Sequence, residues 1–143
     1  MNRHVLVPVD GSPKSRAGLE HALTTYPDAE ITVLHVMAPY DRWGPEDPPL
    51  PTPAAEAWFE RAQERATTLL DECRALAAEH GREVTTAVEV GEAWRTIVDY
   101  TRAHDVDHVV MGSHGRPDDA TVALGSVAET VARRSPVIVS IVR

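Results

Sequence analysis

The chain has 143 residues, 43% of them hydrophobic and 25% charged, which suits one globular domain large enough to bury a core. Its 14 Lys and Arg stand against 22 Asp and Glu, a net charge of −8 with Lys14 the sole lysine, so bulk charge excludes a nucleic-acid-binding face. Cys73 is the single cysteine, which rules out an intrachain disulfide framework, and no apolar run approaches the length of a membrane span. With Met1 leading straight into a strand and no signal peptide, a cytoplasmic protein is expected.

In chain order, Val5-Leu6-Val7-Pro8-Val9 reads as a buried strand. A helix follows from Pro13 to about Thr25, with Ser12 as its cap, Pro13 at the first helical position, and Ala17, Leu19, Ala22 and Leu23 turned inward. Ile31 to Val36 is a second strand. The stretch from Pro39 to Pro53 holds Pro39, Pro45, Pro48, Pro49, Pro51 and Pro53, which excludes a helix or a central strand. It reads as a surface connection, with a flap carrying Tyr40 or Trp43 over the end of the second strand as the functional alternative.

A long helix is expected from roughly Ala54 to His80, stopping at Gly81. Its apolar positions Trp58, Ala62, Ala66, Leu69, Leu70, Cys73, Leu76 and Ala77 step by threes and fours, so Cys73 belongs to a core-facing stripe. Val84, Thr86, Val88 and Val90 alternate with Glu83, Thr85, Ala87 and Glu89, the pattern of a half-exposed edge strand. A helix over about Glu92 to His104, a strand over Asp107 to Met111, a helix over Ser126 to Arg134 and a strand over Val137 to Val142 complete the order βαβαβαβαβ. That order implies a single-domain α/β protein, a parallel sheet with helices on both faces.

The chemistry concentrates at two strand ends. Gly112-Ser113-His114-Gly115, nine residues, then Gly125-Ser126 form a glycine-punctuated loop between a strand and a helix. There, backbone N–H groups can converge on a phosphate. Ser126 with Glu129 also matches a capping box, which needs no ligand and can coexist with an anion site. Asp10, in Asp10-Gly11-Ser12 after the first strand, can accept from ribose hydroxyls or hold a cation. The two loops meet only if the first and fourth strands are neighbours, which periodicity does not establish. No Cys or carboxylate cluster has metal-ligand spacing, and no nucleophile elbow supports acyl transfer.

Val7-Pro8-Val9-Asp10-Gly11-Ser12, Leu34-His35-Val36, the run from Val106 to Arg116, Leu124 to Glu129 and Ser135-Pro136-Val137 together resemble the universal stress protein family, in particular its ATP-binding branch. The resemblance implies a five-stranded doubly wound sheet of order 3-2-1-4-5. It also implies an adenine-nucleotide site in which Asp10 meets the ribose beside Pro8 and Val9, and Val36 and Met37 border the adenine. Met111, Gly112, Ser113, His114, Gly115 and Arg116 would line the ribose-to-phosphate path, with Gly125, Ser126 and Val127 at the phosphates. ATP is the implied ligand, with AMP or ADP as alternatives and Mg²⁺ carried by the phosphates. A homodimer joined through the last strand, residues 137–142, is implied as well.

The loop departs from the family pattern at Pro117, Asp118 and Asp119, which place two carboxylates near a triphosphate. At roughly 6 Å and an effective dielectric of about 20, each such pair of like charges costs on the order of 3 kcal/mol before screening. Two alternatives follow: a dimeric interaction module that no longer binds nucleotide, and a slow ATPase. The loop carries no lysine or Walker signature for hydrolysis, so binding rather than turnover is the expectation.

Overall fold

The β1 run His4–Pro8 is apolar on both faces, which only a strand covered from both sides tolerates. In the computed structural model, which describes residues 3–38, 53–113 and 125–143, it lies at the centre of a five-stranded parallel sheet. The remaining elements are α1 (Pro13–Thr25), β2 (Glu30–Met37), α2 (Pro53–Glu79), β3 (Thr85–Val90), α3 (Ala93–Ala103), β4 (His108–Gly112), α4 (Ser126–Arg134) and β5 (Ile138–Val142). The strand order is β3-β2-β1-β4-β5. β1 therefore pairs with β2 on one side, and with β4 on the other through Val5 opposite His108 and Leu6 opposite Val109.

Alternating side chains divide the core into two layers. Val5, Val7, Ile31, Val33 and Val110 meet Leu19, Ala22 and Leu23 of α1 and Leu70, Cys73, Leu76 and Ala77 of α2. On the other face Leu6, Leu34, Val109 and Met111 meet Ile97 of α3 and Ala128 and Val131 of α4. Cys73 sits in the first layer as its spacing implied, and burial, with Glu72 beside it, pushes its thiol pKa up. β3 is an edge strand, as its alternation suggested, though Val88 and Val90 remain exposed at 44% and 54% because the edge lies beyond the helical cover.

Local signals set the helix ends. Ser12 caps α1, its Oγ accepting from Ser15 N–H at 3.1 Å, with Pro13 at the first helical position. Pro53, the last proline of the proline-rich stretch, opens α2, while residues 39–52, including Tyr40 and Trp43, lie outside the described residues. α2 closes with Arg82 N–H donating back to the Ala77 carbonyl at 2.9 Å. The Arg82 side chain then spans three carbonyls, donating from Nη1 to Leu23 and Tyr26 and from Nη2 to Ala29, and so ties the end of α1 to the start of β2.

At the amino-terminal end of the sheet His108 is buried on the α1 face, its Nε2 2.7 Å from Ser140 Oγ of β5 and its ring edge-on to Tyr26 at 5.1 Å. Burial, together with the nearby charges of Arg3 and His21, lowers its pKa below the ordinary 6.5. The unfolded chain therefore binds a proton more readily than the fold does, so this histidine costs nothing well above pH 6.5. Stability falls as pH drops through 6.5 toward the lowered folded value. Urea midpoints measured between pH 7.5 and 5 are expected to fall more steeply in the wild type than in His108→Gln, which keeps a side-chain partner for Ser140 but does not titrate; parallel curves would contradict this.

Candidate functional site

A cleft lies beyond the carboxyl ends of β1 and β4, where the strand order reverses. Its volume is about 550 Å³, within the range of small-molecule sites. Of the residues expected there, Pro8, Val9, Asp10, Val36, Met111, Gly112, Gly125, Ser126 and Val127 share this one lining. Leu34, Ala93, Ile97 and Ala128 add an apolar wall, and Ser12 and Ser15 add hydroxyls.

Asp10 is held by its own turn. Its Oδ1 accepts from Ser12 N–H at 2.9 Å, and its N–H donates to Ser15 Oγ at 3.3 Å. Gly11 takes φ +86°, the left-handed conformation that lets the chain double back between carboxylate and cap. Because Ser12 caps the helix, the Asp10 carboxylate is exposed and only one of its oxygens is engaged by that turn. Behind it the end of β1 is clamped: Val9 N–H donates to the Leu34 carbonyl at 2.9 Å, and the Val9 carbonyl accepts from His35 Nδ1 at 2.9 Å.

Opposite Asp10, α4 starts differently from the capping-box expectation. The N-cap is Gly125, with φ −68° and ψ 156°, and Ser126 is already helical. Glu129 N–H is taken by the Gly125 carbonyl at 2.9 Å, so the Ser126 hydroxyl has no capping role to fill. The amides of Ser126, Val127 and Ala128 precede that first intrahelical bond and lie in the cleft wall. Among the described residues these three amides have no acceptor, so donors and the positive end of the helix dipole lie at the cavity. Among the described lining residues Asp10 is the sole charged group, so attraction for an anion comes from main chain.

Three expected residues play other parts. Met37 is buried against Trp58, Ala62 and Ala66, outside the cleft, and its carbonyl accepts from Gly91 N–H. Strand alternation explains this, since Val36 and Met37 point to opposite faces. Ser113 is 2% exposed and away from the cleft lining, its N–H bonded to the Val142 carbonyl and its own carbonyl to Gly125 N–H. Gly112 lines the cleft, yet its missing side chain serves packing, because a Cβ there would collide with the Lys14 carbonyl and come within 2.9 Å of Ser15 N. The start of α1 crosses directly over the end of β4, with Gly18 facing Gly112 in the same contact. His114, Gly115, Arg116, Pro117, Asp118 and Asp119 lie outside the described residues.

Sequence reasoning missed Ser12, Ser15, Leu34, Ala93, Ile97 and Ala128 as wall residues. Leu34 was within reach, since it lies two residues before Val36 on the same strand face. Ala93 and Ile97 are one turn apart at the start of α3, a placement that requires knowing that α3 begins beside β2. Among the described residues, no group of three or more His, Cys, Asp and Glu could hold a metal ion, and no helix is long and apolar enough to cross a membrane.

Gly112→Ala is expected to destabilise the protein by about 2 kcal/mol or more with no ligand present, since backbone and not a flexible side chain must yield. Gly125→Val is expected to leave stability within about 1 kcal/mol, because its extended backbone suits any residue. Chemical denaturation of both variants checks the contrast, and a wild-type midpoint for Gly112→Ala would contradict it.

The family model described as the universal stress protein family matches residues 1–143. A universal stress protein of Methanocaldococcus jannaschii is 28% identical over 144 aligned positions, covering 96% of this chain and 81% of the relative. Among solved structures, the universal stress protein UspA from Lactobacillus plantarum superposes with a TM-score of 0.80 at 25% identity, covering 99% of this chain and 97% of that one. A universal stress protein solved in complex with cAMP superposes with a TM-score of 0.67 at 26% identity, covering 99% and 97% of the two chains.

Proposed function

The chain belongs to the universal stress protein family, and we propose that its cleft receives an adenine nucleotide, making it a nucleotide-responsive stress or signalling module. The observation that carries this reading is a pair of groups lining one cavity: the Asp10 carboxylate and the first-turn amides of α4, which have no acceptor among the described residues. A carboxylate suits ribose hydroxyls, which donate, and helix amides suit phosphate oxygens, which accept. The apolar wall of Leu34, Val36, Ala93 and Ile97 suits a base. A related structure carrying cAMP supports the same chemistry class.

AMP, ADP and ATP all share these groups, and the nucleotide would bring any Mg²⁺ on its own phosphates. The role is binding that biases shape or partner choice, not turnover. Calorimetry with AMP, ADP, ATP·Mg²⁺ and cAMP is expected to give micromolar to millimolar binding for at least one. Asp10→Ala should weaken it about tenfold or more, since a charge-assisted bond is lost. Gly125→Val should block the phosphate end. No heat at millimolar nucleotide would reject the reading, and unchanged affinity in both variants would reject the placement.

Homodimerisation through β5 is part of the same proposal. β5 is an edge strand whose outer side has no strand beside it among the described residues, and Ile138 on it is 70% exposed. Such an edge is a template for pairing with another chain. Light scattering is expected to give twice the chain mass for the wild type and a shift toward monomer for Ile138→Asp. A wild-type monomer at high concentration would contradict it.

A further inference from the structure

We propose that His35 is a positioning residue for the nucleotide cleft, holding the end of β1 so that the Asp10 carboxylate faces the ribose; this rests on the adenine-nucleotide reading above. His35 lies on β2 between Leu34 and Val36, which line the cleft, but strand alternation turns its ring to the opposite face. There its Nδ1 lies 2.9 Å from the Val9 carbonyl. A carbonyl only accepts, so Nδ1 carries the proton and donates, which fixes the ring's tautomer.

The grip falls at a sensitive place. Val9 is the last residue before Asp10, and its N–H is already tied to the Leu34 carbonyl. Both polar groups of the Val9 backbone are thus held by consecutive residues of β2, one through main chain and one through a side chain. Beyond Val9 the turn is braced from the other direction: Asp10 N–H by Ser15 Oγ, and Ser15 Oγ in turn by the Ser12 carbonyl. The bond from His35 is the side-chain contact from β2 that fixes where the turn begins. Removing it leaves Val9 tied to β2 by its N–H alone and loosens the strand end from which the Asp10 turn springs, and a shift of an ångström at a binding group is enough to cost affinity.

Titration calorimetry with AMP and with 2′,3′-dideoxy-AMP, on wild type, His35→Leu, His35→Asn and His35→Gln, tests this. The Asn amide nitrogen reaches about where Nδ1 stands, whereas the Gln amide lies one bond farther out. AMP affinity is expected to fall about tenfold in H35L and H35Q and to stay within about threefold in H35N. Dideoxy-AMP lacks the hydroxyls that Asp10 would bind, so all four proteins should hold it alike. Wild-type AMP affinity in H35L and H35Q, or equal losses for both nucleotides, overturns the positioning role and leaves the nucleotide reading standing. If H35L does not fold, the comparison of H35N with H35Q decides, and equal affinities overturn the role. A wild type that binds AMP in none of these titrations overturns the nucleotide reading and this inference with it.

Discussion

The pairing of β1 with β4 is the constraint on which the site depends. The chain winds outward from β1 through β2 to β3, then returns to lay β4 against the free side of β1 and continues to β5. Successive crossovers of one hand consequently deposit α1 and α2 on one face, and α3 and α4 on the other. β1 is followed by α1 on one face of the sheet, and β4 by α4 on the other. The cleft lies at this reversal of strand order, the general place for a site in an open parallel sheet.

Holding that arrangement demands close contact. α1 passes over the end of β4 with Gly18 and Gly112 at the crossing, and neither position has room for a side chain without movement of backbone. The glycine that looks like a ligand-binding signature thus also lets a helix seat on the sheet. The two roles are compatible, because bringing α1 close to β4 is what brings the Asp10 turn near the start of α4. An acidic chain can meet an anion in this cleft because the attraction is local. In the proposed site three backbone amides at a helix start would supply it, while exposed charges contributing to the net charge of −8 are screened by salt.

Much of the fold was legible because burial demands periodicity. The both-faced apolar run of β1 and the stepped stripe of α2 follow from which sides of an element meet water, whereas the alternation of β3 marked an edge strand without telling which residues it buries. Ser12 before Pro13 announced the α1 cap for a local reason, as did the stop of α2 near Gly81. Strand order left no trace in periodicity; only the likeness of whole motifs to a known family supplied the adjacency of β1 and β4. The start of α4 misled by one residue. Ser126 and Glu129 have the spacing of a capping box, but Gly125 took the extended conformation and the cap position. Met37 misled for a simpler reason, since neighbours on a strand face opposite ways and only Val36 reaches the cleft. The His35 contact with Val9 was not legible at all, because it joins two strands by a single side-chain bond that no pattern along the chain encodes.

In the proposed function the Asp10 turn and the first turn of α4 act together as one nucleotide site. Backbone amide chemical shifts followed during a titration with AMP test it most directly. The largest, saturable shifts are expected at Ser126, Val127 and Ala128, with a second group at Asp10, Gly11 and Ser12 moving at the same midpoint. Shifts confined to one of these turns, or spread over residues remote from both, would contradict it.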